Sequence, residues 1–161
     1  MDGEANREIT WPSQIWMRLP TRNEWEVAAG GKFPNNRYPW DKAKEVTSDI
    51  REIFSRANVA FQIGKTTPVE KYPNGASPRS VMDMSGNVWE WLSNIFQSGE
   101  SIVSAASLDI PDDEVPSYHI MEMIGGSWSK PESDANLSGK NVSMPNEDAN
   151  DRGFRVAIAK M

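Results

Sequence analysis

The stretch DMSGNVWEW, residues 83–91, holds two tryptophans, two carboxylates and a glycine turn within nine positions. Trp89 and Trp91 are two residues apart, so in a strand they face one side, which we expect to be the core, while Glu90 faces the other. Asp83 comes before the glycine turn. No activated nucleophile accompanies these residues, so the stretch indicates a metal site or an anchor of the fold more than a catalytic site.

Helix signals lie upstream of this stretch. Thr21 and Glu24 have capping-box spacing, and Gly30 and Gly31 offer a left-handed stop, which together predict a helix over residues 22–29. Between residues 42 and 58, apolar residues recur at i, i+3, i+4 and i+7. This stripe predicts a second amphipathic helix and consists of Ile50, Ile53, Phe54 and Ala57.

Four short segments have the β-branched, aromatic or methionine content typical of strands, and several of them also alternate with period 2. They are VMDM (81–84), VWEW (88–91), HIMEMI (119–124) and FRVAIA (154–159). Residues 65–80 carry three prolines and an Asn-Gly turn, which indicates an ordered loop. From Ser129 to Arg155, eleven of 27 residues are Asn, Ser or Asp, a composition that predicts an irregular, solvent-facing loop. The chain is expected to form a single α+β domain over residues 1–161.

Composition excludes several classes of function. The net charge is −6 and the chain has no basic cluster, so nucleic acid is not an expected partner. No apolar run approaches the ~20 residues that span a bilayer, and residues 1–11 lack the pattern of a signal peptide, so a soluble chain without membrane insertion is expected. The absence of cysteine excludes disulfides and thiolate chemistry.

Catalytic motifs are missing as well. The sequence has no GxSxG elbow, no P-loop and no HExxH. His119 is the single histidine, and it has no neighbouring nucleophile to activate, so a partly exposed polar role is expected for it. No catalytic residue is therefore predicted.

Seven motifs in a fixed order resemble the formylglycine-generating-enzyme/sulfatase-modifying-factor domain. They are MRLPTRNEWEVAAGG (17–31), YPW (38–40), RANV (56–59), TTPVEKYPN (66–74), VMDMSGNVWEW (81–91), IGGSW (124–128) and DRGFRVA (151–157). The resemblance covers Met17 to Ala157. It implies a C-type-lectin-like fold with small twisted antiparallel sheets, two short helices and long ordered loops.

The chain departs from the enzymes of that superfamily in its metal ligands. The aerobic enzymes bind copper through two cysteines after the GGSW motif, and the related sulfoxide synthases hold iron with several histidines. Neither ligand set can be built from a chain with no cysteine and one histidine. The family enzymes also carry a longer segment before the RLPT motif. A divergent enzyme of this line, or an inactive regulatory paralogue, stays open as an alternative on analogy alone.

One branch of the superfamily suggests a binding function. The variable proteins of diversity-generating retroelements carry hypervariable residues between a GGSW-like and a GFR-like motif, which lie here at 125–128 and 153–155. Asn codons, which begin with two adenines, are substrates of that diversification. The resemblance implies a non-catalytic protein that displays residues 129–152 to a protein or glycan target on a cell or viral surface, and an extracellular or virion-associated location. A polar loop of a lectin-like domain without any retroelement would have the same composition.

Twelve residues are the expected ligand-binding set, chosen because short polar side chains beside an apolar anchor resemble an antibody surface. They are Trp128, Ser129, Lys130, Glu132, Asp134, Asn141, Ser143, Asn146, Asp148, Asn150, Asp151 and Arg152. Met144 is a second possible apolar anchor. The alternative for Trp128 is a core position beneath the loop, with its indole N–H bonded to backbone. Arg155 is expected to tie the last strand to acidic residues near Glu90.

The resemblance also implies a calcium site at the tryptophan motif. Its ligands would be Asp83, the carbonyl oxygens of Gly86 and Val88, and Glu90, a set of hard oxygen donors that suits Ca²⁺. The alternative is that Asp83 caps the turn and Glu90 forms an ion pair. A second family calcium site needs an Asp after the RANV motif, and the chain has none there. No cofactor is expected to be required.

Overall fold

The computed structural model describes residues 15–30, 37–41, 46–101 and 120–160. His119 and residues 42–45 of the predicted second helix lie outside these ranges. Within the described residues the chain forms two α-helices, six strands in two sheets, and short 3-10 turns. This is the mixed α+β architecture expected from the sequence.

Helix α1 spans Arg22–Ala28, one residue shorter than predicted. The Thr21 hydroxyl accepts the Glu24 backbone N–H, and the Glu24 carboxylate accepts the Thr21 N–H at 2.8 Å. These two bonds satisfy backbone donors that the first turn leaves free, which confirms the predicted capping box. Gly30, with φ of +119°, follows the end of the helix.

Helix α2 spans Ile50–Arg56, and the Asp49 side chain accepts the Arg51 N–H at its start. Of the predicted apolar stripe, Ile53 and Ala57 are buried, whereas Ile50 in the first turn is 46% exposed. The stripe therefore packs through its C-terminal half. Neither helix in the described part of the chain has the length and apolar character needed to cross a bilayer.

Six strands form the two sheets. Strand β1 (Ile15–Arg18) pairs antiparallel with β6 (Ala157–Lys160). The larger sheet has the order β4–β3–β2–β5, with β2 at Trp89–Ile95, β3 at Met121–Ile124, β4 at Lys140–Ser143 and β5 at Arg152–Gly153. Its pairs are antiparallel except β2 with β5, which is parallel.

Three strand and loop predictions are corrected. VMDM (81–84) is not a strand, because Asp83 has a left-handed φ of +54° and belongs to the turn before β2. Of FRVAIA (154–159), only the part from Ala157 onward pairs. The segment 129–155 is not wholly irregular: it contains a 3-10 turn at Glu132–Ala135, strand β4 against β3, and β5.

Two clusters of buried residues make the core. The first joins α1 to β2 and β3 through Trp25, Ala29, Met84, Leu92 and Ile124. The second packs α2 against neighbouring loops through Tyr38, Ile53, Ala57, Val59 and Ala135. Each large apolar side chain buried in these clusters contributes roughly 1.5–3 kcal/mol.

The side of β2 that faces the first cluster differs from the prediction. Leu92 belongs to that cluster, and Glu90, which shares its strand parity, hydrogen-bonds to Trp25 of the same cluster. On the opposite side Trp89 is buried but Trp91 is only half-buried. Both faces of the strand are therefore covered, and the tryptophan side is not the main core side.

Candidate functional site

The segment predicted to bind leaves β3 through Gly125 and Gly126. Both have left-handed φ values, of +96° and +73°. A Cβ at Gly126 would lie 2.6 Å from the Cα of Ala135, so glycine is required for the backbone to approach the 3-10 turn. This contact fixes the direction in which Ser127 and Trp128 leave the sheet.

The buried carboxylate of Asp151 joins the two ends of the segment. It accepts the Ser127 hydroxyl at 2.8 Å and the Ser129 hydroxyl at 2.6 Å. The Asp151 carbonyl accepts the Trp89 N–H at 2.8 Å, which places the far end of the segment beside β2. Asp151 is only 8% exposed. Its position therefore indicates support of the segment, and the same holds for Ser129.

Arg152 closes the last part of the segment. Its Nη1 donates to the Ser143 hydroxyl at 2.7 Å and to the Glu147 carbonyl at 2.7 Å. The Ser143 hydroxyl in turn donates to the Glu147 carboxylate, and this hydrogen bond lowers the pKa of Glu147. The Arg152 guanidinium also lies 5.9 Å from the centre of the Trp91 ring. Ser143 and Arg152 thus connect the end of β4 to the start of β5 across the turn.

The other predicted contact residues are open to solvent. Asn146, Asp148 and Asn150 are exposed on the turn between β4 and β5. Four more are half-exposed: Lys130, Glu132, Asp134 and Asn141. Met144, the second possible apolar anchor, is 40% exposed. The twelve predicted residues therefore divide into those that brace the segment and those available to a ligand.

Trp128 lies beneath the segment, as the sequence alternative predicts. It is 8% exposed, and its indole N–H donates to the Asn150 carbonyl at 3.4 Å. The Phe61 ring meets it edge-on, with ring centres 5.5 Å apart. Ala60 and Phe61 both have left-handed φ values, of +52° and +57°, a conformation that costs roughly 1–2 kcal/mol per residue. The surrounding contacts must offset this cost.

The turn of the DMSGNVWEW stretch is held by amide side chains. Asn87, with φ of +68°, donates to the Asp83 carboxylate at 3.0 Å and accepts the Thr67 N–H at 2.9 Å. A Cβ at Gly86 would lie 2.4 Å from the Asn58 carbonyl oxygen, so the turn packs directly on the RANV loop. Burial raises the pKa of Asp83 to about 6, against the Asn87 hydrogen bond, which lowers it.

Glu90 is the centre of a buried ion pair. Its two carboxylate oxygens accept Arg155 Nε at 2.6 Å and Arg155 Nη2 at 2.5 Å, and the Trp25 indole N–H at 2.6 Å. Arg155 also donates to the Met82 carbonyl at 3.1 Å. The expected tie between Arg155 and Glu90 is confirmed, and it joins α1, β2 and the start of the C-terminal strand region.

These contacts already engage two of the four predicted calcium ligands. Both oxygens of Glu90 already receive N–H donors, and the Gly86 carbonyl accepts the Val88 N–H at 3.0 Å. Among the described residues there is no group of three acidic or histidine side chains placed to hold a metal ion. The arrangement favours the ion-pair alternative for Glu90, and calcium binding at Asp83, Gly86, Val88 and Glu90 stays a prediction.

The sequence patterns did not predict a role for two residues of this region, Glu147 and Phe61. Glu147 stands four residues after Ser143. In an irregular loop this spacing predicts no contact, and the two side chains meet only because the chain turns after β4. Phe61 lies two residues after the RANV motif, between Ala60 and Gln62. Its contact with Trp128 joins residues distant in sequence, so no local pattern announces it.

Comparison with known proteins identifies the family and the fold. The model of the sulfatase-modifying factor enzyme 1-like domain matches residues 4–160. The solved structure of Treponema denticola variable protein 1 superposes with a TM-score of 0.60 at 25% identity, over 87% of this chain and 46% of that one. The superposition supports the C-type-lectin-like architecture inferred from the motifs.

Curated relatives include enzymes. Serine/threonine-protein kinase pkn1 of Chlamydia caviae is 30% identical over 156 residues, covering 92% of this chain and 23% of the kinase. The formylglycine-generating enzyme of Thermomonospora curvata is 29% identical over 166 aligned positions, covering 94% of this chain and 52% of the enzyme. The chain thus spans between about a quarter and about half of the length of these relatives. Because the family model matches nearly all of its residues, the chain belongs to the formylglycine-generating-enzyme/sulfatase-modifying-factor family.

Proposed function

We propose that the chain is a non-catalytic binding protein of the retroelement variable-protein type, which recognises a target through residues 129–152. One observation carries the proposal: the segment is braced from below by buried or half-buried side chains, while its remaining polar side chains face solvent. Asp151 and Arg152 supply the bracing. The likeness to the Treponema denticola variable protein supports the same function.

The bracing explains how a polar loop can bind at all. Ordering a loop on binding opposes affinity, and a loop that is already fixed avoids much of that cost. Asn, Ser and Asp side chains carry donors and acceptors on short stems, so they lose little rotamer entropy. The residues free to contact a target are Lys130, Glu132, Asp134, Asn141, Asn146, Asp148 and Asn150, with Trp128 beneath them.

The target is a protein or glycan on a cell or viral surface, and the binding protein acts outside the cell or on a virion. The net charge of −6 opposes nucleic acid as the target. Diversification of the segment needs a reverse transcriptase gene and a template repeat near the encoding DNA. The repeat would match codons 125–155 except at adenines, and its absence would remove diversification while leaving binding.

A display experiment tests the binding surface without knowledge of the natural target. One library randomises Asn141, Asn146, Asp148 and Asn150, and a matched library randomises four exposed positions on or beside the helices: Asn23, Ser48, Arg51 and Ser55. Both are selected against lysozyme as a soluble test protein. We expect binders from the first library only, because its randomised side chains stand on a braced backbone with the Trp128 ring beneath it. Equal yields, or none from the first library, would contradict the proposal.

The likeness to the Thermomonospora curvata enzyme favours a second candidate, a divergent enzyme or an inactive regulatory paralogue of one. These 161 residues lack the cysteine pair and the histidine set that the resemblance assigns to copper and iron, so a redox enzyme needs ligands from outside them. Elemental analysis of the purified protein after incubation with Cu and Fe tests this. Stoichiometric copper or iron would support the enzyme; metal at background level would support the binding protein.

A further inference from the structure

Phe61 lies outside residues 129–152 but is bonded to the start of that segment. Its backbone N–H donates to the Trp128 carbonyl at 2.7 Å, and the Ala60 N–H donates to the Lys130 carbonyl at 2.8 Å. The Phe61 ring stands at 89° to the Trp128 ring. The loop that follows the RANV motif is therefore a fixed border of the proposed binding surface.

The phenyl ring is held largely in solvent. Phe61 is 63% exposed, whereas burial is what makes a phenylalanine stabilising. The left-handed backbone of Ala60 and Phe61 is a strained conformation, which persists only where the surrounding structure enforces it and which concentrates at binding sites. The two hydrogen bonds between the loops enforce it here, and they aim an apolar ring outward beside polar side chains.

We infer that Phe61 is the fixed apolar anchor of the recognition surface and that the target is a protein, one of whose apolar side chains packs on the phenyl ring. The inference rests on the proposed function. Aromatic residues that become desolvated in a contact supply much of the affinity of protein interfaces, while polar neighbours exclude water and set specificity. Phe61 would take the first role and the exposed residues of 129–152 the second.

The surroundings of the ring favour a protein over a glycan. A sugar stacked on a phenyl ring needs hydrogen-bonding groups on both sides of that ring, and on the side away from residues 129–152 Phe61 has few. The loop 60–64 offers one polar side chain, Gln62, and a second exposed apolar residue, Ile63, at 38% exposure. The Trp128 indole N–H already donates to the Asn150 carbonyl. An aliphatic or aromatic side chain of a protein needs none of these polar partners.

The test uses the lysozyme-binding clones recovered from the library at residues 141–150. In each clone Phe61→Ala is introduced, with Phe61→Leu as the conservative variant and Val27→Ala, a half-exposed apolar position on α1, as the matched control. We expect Phe61→Ala to raise the Kd about tenfold or more in most clones. Phe61→Leu should restore most of the affinity, and Val27→Ala should leave the Kd within about twofold. Thermal unfolding of each variant shows that it is folded.

The outcomes separate this inference from the proposed function. If clones bind lysozyme but Phe61→Ala leaves their Kd within about twofold, the anchor role is wrong and the binding function stands. If Phe61→Ala and Val27→Ala weaken binding equally, the ring has no special role and the inference fails. If the library yields no clone, both the function and the anchor are overturned.

Discussion

The turn and strand at 83–92 and the segment 129–152 both contain acidic side chains, yet they use them in opposite ways. Glu90 is buried and its oxygens receive three N–H donors from Trp25 and Arg155. In the segment, Asp151 is likewise occupied, but Asp148 and its neighbours Asn146 and Asn150 face solvent. In the first region the polar groups are bonded within the protein and stabilise the fold. In the second region several polar side chains remain available to bind a partner.

The largest expected effect comes from breaking the Glu90 ion pair. Arg155→Ala leaves a buried carboxylate without its cation, which should lower the free energy of unfolding by about 3–5 kcal/mol. Urea denaturation measures it, with the exposed Arg51→Ala as control, expected within about 0.5 kcal/mol. Arg155→Lys keeps the charge but loses the forked geometry and should fall between. Equal losses of unfolding free energy in Arg155→Ala and Arg51→Ala would contradict a stabilising role of the ion pair.

Removal of the Asp151 carboxylate comes next. Asp151→Ala leaves the Ser127 and Ser129 hydroxyls without their acceptor and should lower the free energy of unfolding by about 1–3 kcal/mol. Amide hydrogen exchange at residues 127–130 should accelerate more than exchange in α2. The matched variant Asp148→Ala removes an exposed carboxylate and should change neither quantity. Unchanged exchange in Asp151→Ala would show that the segment is braced by other contacts.

Acid should lower the free energy of unfolding through a different contact, the one between Arg18 and Glu24. The hydrogen bond from Arg18 lowers the pKa of Glu24 from its ordinary 4.5 to about 2. The folded state therefore favours the ionised carboxylate, so its contribution is complete above pH 4.5 and is lost as the pH falls towards 2. Because the pair is partly exposed, the contribution is limited to about 0.2–1 kcal/mol.

Unfolding free energies at pH 7 and pH 3 check this for wild type and Glu24→Gln. The loss between the two pH values should be smaller in the variant, because glutamine does not titrate. An identical loss in both proteins would assign the acid sensitivity to other carboxylates.

The smallest effect is expected at the exposed positions. Asn146→Ala, Asp148→Ala and Asn150→Ala should each change the free energy of unfolding by no more than about 0.5 kcal/mol, because their side chains face solvent. Thermal unfolding of the three variants measures this. A loss above about 1 kcal/mol at any of them would mean that this residue belongs to the bracing set.

Local signals predicted the parts of the fold that depend on neighbouring residues. The capping box of Thr21 and Glu24 gave α1 almost to the residue, because its bonds connect positions three apart. A tie from Arg155 to acidic residues near Glu90 was also expected, and the structure shows it as a direct ion pair with Glu90. The failures arose where distant parts of the chain meet.

Strand β4 shows why the segment was misjudged. Its residues KNVS have a polar composition typical of a loop, and they become a strand because β3 offers an open edge beside them. VMDM was misjudged in the reverse direction, because its residues are mostly apolar but Asp83 adopts a left-handed turn. The division of the twelve predicted contact residues into bracing and free ones likewise depends on contacts such as Arg152 to Ser143.

The strand order has a consequence for the length of the recognition segment. The chain leaves the sheet at one edge after β4 and returns at the opposite edge as β5, so the two ends of the turn between them stand about 14 Å apart, three strand spacings. Closing a loop between fixed ends becomes only about 0.6 kcal/mol less favourable each time its length doubles. Insertions at the turn between β4 and β5 should therefore cost little stability. The fold can thus vary the length of this turn as well as its side chains.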